Sequence, residues 1–200
     1  MYPDSHTALN FSSPLEMLVA TILSAQCTDE RVNEETGHIF QRFPTARDYA
    51  EASLEELEEE FSSINFFRQK ARSVNMMARR LVDDYGGKVP DTMDELVTLH
   101  GVARKTANVV LHNAFDKNEG IAVDTHVKRL AGRLGLSRET DPNRIERDLM
   151  ELYPREKWGT VTHVLIDHGR AVCKARKPLC SNCVLAKSCP SSLEPTASTG

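Results

Sequence analysis

Leu99-His100-Gly101-Val102-Ala103-Arg104-Lys105-Thr106-Ala107 is the stretch on which the reading of this chain turns. It is a tight corner with a glycine at its bend, and the residues after it keep helical spacing to about Phe115. Ala107, Val110, Leu111 and Ala114 form one apolar stripe there. The backbone N–H groups of such a turn, and of the first turn of the next helix, point outward and can hold a phosphate oxygen without reading any base. A glycine corner between two helices serves plain packing as readily. Lys105 adds weight to the first option. It sits in the opening turn of a helix, where the macrodipole disfavours a cation. A lysine is nucleophilic only when neutral. A helix N-terminus together with partial burial favours the neutral form, so a poor place for stability is a good one for an amine nucleophile.

Working outward, the chain reads as helices with almost no strands. Ser13-Pro14 opens an apolar helix expected to reach Gln26, and others follow over Asp29–Phe43, Ala46–Ala52 and Leu54–Phe61. A longer one spans Phe67–Tyr85, with Ala71, Val74, Ala78, Leu81, Val82 and Tyr85 inward and Gly86-Gly87 as its stop. Asp91 is placed to cap a short helix to Leu99. Beyond the corner, helices are expected over Thr125–Leu134, Pro142–Tyr153 and Lys157–Arg170, with Asp124 as the N-cap of the first. The class is all-α.

Net charge is −4, but it is unevenly spread. Residues 1–60 hold 13 acids and 3 bases, a net of −10, while residues 61–200 hold 16 acids and 22 bases, a net of +6. The run Glu55–Glu60 reads as a solvated helix face. A polyanionic partner would therefore meet the later part of the chain. No stretch reaches the roughly 18 apolar residues of a membrane span, and the first ten residues carry no secretion signal. The expected location is the cytoplasm, at the nucleoid, with no membrane contact.

Four of the five cysteines fall in 17 residues: Cys173, Cys180, Cys183 and Cys189, spaced C-x6-C-x2-C-x5-C. Short loops let their thiolates converge on one centre. Four thiolates suit zinc or a cluster of irons bridged by sulfide. Structural zinc sites usually use two C-x2-C-like pairs and this spacing has one, which favours iron–sulfur. Arg170, Lys174, Arg176, Lys177 and Lys187 around them either grip phosphates or offset thiolate charge. Cys27 stands apart and reads as a buried small residue.

At these residues the chain resembles the endonuclease III family of the helix-hairpin-helix DNA glycosylase superfamily. The resemblance rests on Leu23-Ser24-Ala25-Gln26, on Gly101 through Leu111, on Ala122-Val123-Asp124-Thr125-His126, on His168-Gly169-Arg170 and on the cysteine spacing, and it runs from about Asn10 to Pro190. It implies two helical lobes with damaged double-stranded DNA in the cleft between them. One lobe is a six-helix bundle with the helix-hairpin-helix over residues 7–117. The other combines residues 1–6 and 118–200, holds a [4Fe-4S] cluster on Cys173, Cys180, Cys183 and Cys189, and ends in a disordered tail over 190–200. The implied enzyme is a monomeric DNA glycosylase and lyase acting on oxidised pyrimidines. Lys105 is its Schiff-base nucleophile and Asp124 stabilises positive charge on the sugar.

The same resemblance assigns DNA contacts to Gln26, which fills the gap left by the flipped base, and to a wedge at Asn65-Phe66. It also assigns them to His100, Gly101, Ala103 and Arg104 of the hairpin, and to His126. Where the family usually has proline and a second glycine in the hairpin, this chain has His100 and Ala103, so a softer hairpin is expected. Phe66 stands in a leucine position and Asn65 in a glycine position. Two other readings are a monofunctional glycosylase of the same superfamily, against which Lys105 argues, and a catalytically weak DNA-binding paralogue.

Overall fold

The computed structural model describes residues 2–193, and every regular element in them is helical. The chain divides into two compact units. One is Thr7–Lys117, and the other joins Met1–His6 to Asn118–Gly200. The expected disorder of the tail falls mostly on residues 194–200, outside the described residues. Pro190–Leu193 are described, and the amide of Ser192 donates to the carbonyl of Cys189.

In the first unit the helices are α1 (Pro14–Leu23), α2 (Asp29–Arg42), α3 (Ala46–Glu51), α4 (Leu54–Glu60), α5 (Phe67–Tyr85), α6 (Met93–Leu96) and α7 (Arg104–Phe115). The short helix expected after Asp91 is α6, a single four-residue turn. Side-chain caps fix most starts: Ser13, Thr28, Thr45, Ser53 and Thr92 each accept from an amide in the first turn. Thr45 with Asp48 and Ser53 with Glu56 complete capping boxes. The cap of α6 is thus Thr92 and not Asp91; Asp91 instead pairs with Lys117 at 2.6 Å. The acidic run is the outer part of α4. Leu57 turns fully inward and the Glu60 side chain is mostly covered, while Arg42 and Arg68 meet the carboxylates of the run.

Helix α1 is the axis of this unit. Met17, Leu18, Val19, Ala20, Ile22 and Leu23 are all buried, as its nearly continuous apolar sequence requires. They pack with Ile39, Tyr49, Leu57, Phe61, Ala71, Val74, Met77, Leu81, Ala107, Val110 and Leu111 in one core. The helix ends at Leu23, three residues before the expected Gln26. Gln26 has φ 56, a left-handed value that cannot continue an α-helix, and the Ser24 hydroxyl folds back to the Thr21 carbonyl at 3.0 Å.

The second unit holds α8 (Thr125–Arg133), α9 (Pro142–Leu152) and α10 (Trp158–Ala171), with 3-10 turns at Arg155–Lys157 and Cys180–Asn182. Its core is Ile121, Val123, Val127, Leu130, Ala131, Ile145, Leu149 and Leu165. The first residues of the chain belong here because Ser5 donates to Asp167 at 2.7 Å and Tyr2 meets His168 at 3.2 Å. Among the described residues no helix is long and apolar enough to cross a membrane.

One buried polar side chain ties α5 to the end of α3. The Asn75 amide donates to the carbonyls of Tyr49, Ala50 and Ala52 at 2.9, 3.3 and 3.2 Å. Asn75→Ala removes the shared donor from the Tyr49 and Ala52 carbonyls while Ala50 keeps Arg79 at 3.3 Å, and a loss of about 1–3 kcal/mol is expected. Urea unfolding should show a lowered midpoint with an unchanged slope.

Candidate functional site

The corner is built from both sides. Leu99 and Val102 are buried and anchor it in the core, while His100, Gly101 and Ala103 are exposed. The Val102 amide donates to the Leu99 carbonyl at 3.2 Å and closes a four-residue turn. Gly101, in its third position, has φ 78, the left-handed value a type II turn requires there. A Cβ at 101 would also crowd Ser73, lying 3.1 Å from its Cβ and 3.3 Å from its hydroxyl. His100 takes the second position. Ala103 is the N-cap of α7 at φ −86 and ψ 168, extended backbone open to any residue. The softening expected from alanine at 103 therefore does not follow, because no positive φ is called for at that position.

Ala103 supplies no side-chain cap to α7. The start of that helix keeps its positive partial charge facing outward beside half-buried Arg104. Lys105 is the second residue of α7 and is exposed, so the partial burial expected of it is absent.

Gln26, Asn65 and Phe66 come together in the same unit. Phe66 is 58% exposed and precedes α5 with φ 60, so it is a projecting ring and not core. The Asn65 amide donates to the Gln26 carbonyl at 3.0 Å. Gln26, Phe66 and Gly101 share the wall of a cavity of about 240 Å³ with Lys70 and Ser73. Sequence reasoning missed Lys70. It is only 6% exposed, and its ammonium donates to the Leu23 carbonyl at 2.8 Å, at the C-terminal end of α1 where a cation is favoured. Burial pushes the Lys70 ammonium below the usual lysine range, opposed by nearby Cys27. The available signal was its place one residue before Ala71 on the inward side of α5.

In the second unit Asp124 caps α8, its carboxylate accepting from the Val127 amide at 2.7 Å. His126 follows, half-buried. Arg129 Nη2 lies 3.1 Å from His126 Nδ1. An arginine can only donate, so that ring nitrogen accepts and the ring N–H is at Nε2. Burial holds His126 below the usual histidine range; Asp124 pulls the other way, Arg129 and Arg170 add to the lowering, and the Gly169 backbone opposes it. Arg129 also donates to the carbonyls of Gly169 and Cys173 at 3.0 and 3.1 Å. Gly169 is needed for this approach: a Cβ there would meet Arg129 Nη2 and His126 Nδ1 at 2.9 Å each. Arg129 was legible only as a residue one helical turn from His126.

The four clustered cysteines are free thiols, each half-buried, and all line one small cavity of about 30 Å³ with Arg133 and His168. Arg133 donates to Cys173 Sγ at 3.4 Å and to the carbonyls of Lys174 and Ala175 at 2.8 and 3.0 Å. His168 Nε2 lies 3.5 Å from Cys183 Sγ. Among the described residues no three His, Cys, Asp or Glu close on a single-ion site. Four soft thiols around a shared cavity, with cationic and N–H partners at the sulfurs, fit a cluster of several irons better than one zinc. Arg170, Lys174, Arg176, Lys177 and Lys187 are all exposed around this loop.

The HhH-GPD superfamily of base excision DNA repair proteins matches residues 19–155, and the iron–sulfur binding domain of endonuclease III matches residues 173–189. Endonuclease III of Synechocystis sp. is 54% identical over 191 residues, covering 96% of this chain and 87% of that protein. Endonuclease III of Bacillus subtilis is 45% identical, covering 94% of this chain and 86% of its own length. The fold is similar to a solved structure of a trapped endonuclease III–DNA covalent intermediate in an estranged-adenine complex. The TM-score is 0.92 at 44% identity, over 96% of this chain and 90% of that one. With the glycine corner, the uncapped helix behind it and the four thiols of the cluster loop in place, this chain belongs to the endonuclease III family of the HhH-GPD superfamily of base excision DNA repair proteins.

Proposed function

We propose that this chain excises oxidised pyrimidines from duplex DNA and then cuts the strand, with Lys105 as the nucleophile and Asp124 as the carboxylate that stabilises positive charge on the sugar. The chain is a DNA glycosylase and lyase of base excision repair that carries a [4Fe-4S] cluster and binds damaged duplex DNA. The observation that carries the residue assignment is Lys105 itself: an exposed amine in the first turn of a helix without a side-chain cap, directly behind the Gly101 turn.

In this reading the Gly101 turn and the opening amides of α7 grip a backbone phosphate, assisted by Arg104, His100 and Ala103 at the same surface. The damaged nucleotide leaves the stack, since C1′ of its sugar is shielded within it. Gln26 fills the vacated space and Phe66 wedges the opposite side, where an aromatic ring can hold a kink by stacking. The neutral Lys105 amine attacks C1′ as the bond to the base breaks and the base departs with a proton. Opening of the sugar ring leaves a Schiff base. Loss of a C2′ proton then expels the 3′ phosphate and nicks the strand. The Asp124 carboxylate, held by the α8 amide it caps, stabilises positive charge on the sugar. His126 donates to the DNA backbone from Nε2.

Cys173, Cys180, Cys183 and Cys189 hold the cluster, which shapes the basic loop and takes no part in bond breaking. Its work is at DNA in the cytoplasm.

Three outcomes test this. Lys105→Ala should abolish strand cleavage at an abasic site while binding to an uncleavable abasic analogue changes by only a few fold. Retained cleavage would remove Lys105 from the mechanism. Asp124→Asn preserves a good N-cap, so the melting temperature should hold. Base release should slow on the order of 10²- to 10⁴-fold; a loss of binding as large as the loss of rate would count against the assignment. Cys180→Ser should remove the visible absorption of the cluster and destabilise the second unit. A stable, cluster-free variant would refute a structural role.

A further inference from the structure

Gln26 and Phe66 share an uncommon backbone state. Their φ values are 56 and 60. Left-handed backbone is unfavourable for any residue with a Cβ, and for a bulky aromatic ring more than most. Such states persist only where the surroundings over-determine them, and they gather at functional loops.

The over-determination is visible. A single short segment, residues 65–70, supplies it. Asn65 Nδ2 donates to the Gln26 carbonyl at 3.0 Å, and Lys70 Nζ donates to the Leu23 carbonyl at 2.8 Å. The loop between them, Ser24–Cys27, is closed by the Cys27 amide on the Ser24 carbonyl at 3.0 Å. One donor therefore pins the end of α1 and the other pins the tip of the loop that follows it. Both donors belong to the segment that carries Phe66. The Phe66 carbonyl accepts from the Lys70 amide at 3.1 Å, so the ring is set by the first turn of α5.

The two donors differ in burial. Lys70 is inside and contributes to the packing of α1. Asn65 is exposed, beyond the last core residue of its loop, Ile64. A solvent-exposed hydrogen bond adds little to stability. What this one fixes is geometry: the carbonyl of a strained residue on a neighbouring loop.

We propose that Asn65 is a positioning residue for the strand-inserting pair. Its side-chain amide locks the Gln26 loop to the Phe66 loop before DNA arrives, so that the two side chains enter the duplex as one rigid device. The ordering of both loops is then complete in the free protein and does not draw on binding energy. This rests on the reading of Gln26 and Phe66 given above.

The test is a double-mutant cycle on single-turnover release of thymine glycol from a duplex, using the cluster-loaded full chain. Asn65→Ala should slow release roughly 3- to 10-fold, the range of one lost hydrogen bond. In the Gln26→Ala background the same substitution should have less than about a twofold further effect, because the side chain being aimed is gone. With 2-aminopurine opposite the lesion, the brightening on binding should also fall in Asn65→Ala. Equal losses in both backgrounds would mean that Asn65 acts independently of Gln26 and would overturn the proposal, as would a duplex rate unchanged by Asn65→Ala. Wild-type protein that releases no base from the duplex would instead overturn the reading of the function, and this inference with it.

Discussion

A chain that reverses direction between two buried anchors, Leu99 and Val102, needs left-handed backbone at its third turn position, and glycine supplies it. At Gly101 the φ is 78, and a Cβ there would also press on Ser73 from α5 at 3.1 Å. The turn and the long helix beneath it are thus made for each other. The direction of α7 follows from that turn, and with it the place of Lys105 and the outward aim of the first amides of α7. A larger residue at 101 would strain the backbone and displace Ser73 together. Replacing the neighbouring alanine by glycine would change little, because Ala103 already sits in ordinary extended backbone.

The same economy governs the ends of the helices. In the Thr7–Lys117 unit, α1, α2, α3, α4 and α6 each begin with a hydroxyl that satisfies an opening amide. Helices α5 and α7 have no side-chain cap. These are the helices whose first residues follow Phe66 and carry Lys105. In the proposed function, stability is obtained where the chain only has to fold, and forgone where a backbone amide or a projecting side chain is to meet DNA. The cluster unit shows a different use of polar contacts. Arg129 and Arg133 on one helix reach carbonyls and a sulfur of the cysteine segment, so α8 carries both Asp124 with His126 at its start and the clasp of the cluster loop toward its end.

Much of this was legible in the sequence where the determinant is local. Helix α5 was read from Phe67 to Tyr85 because its apolar spacing runs along it and the Gly86 stop follows directly. Asp124 as a cap and the spacing of the four thiols are equally short-range. What was not legible depends on distant partners. The end of α1 at Leu23 has no glycine or proline to mark it; the Leu23 carbonyl is met by Lys70, 47 residues on, and the Gln26 carbonyl just beyond it by Asn65, 39 residues from Gln26. Thr92 and Asp91 are both competent caps, and the pairing of Asp91 with Lys117 decides between them. The exposure of Lys105 and the tautomer of His126 likewise follow from packing, not from neighbours in the chain.

The central claim is that the chemistry belongs to the amine behind the Gly101 turn. It is tested most directly by reacting the cluster-loaded protein with an abasic duplex, reducing the adduct with borohydride, and locating the sugar by peptide mass spectrometry. The account predicts the sugar on Lys105. A sugar carried by another lysine or by the N-terminal amine, with Lys105 unmodified, would contradict it.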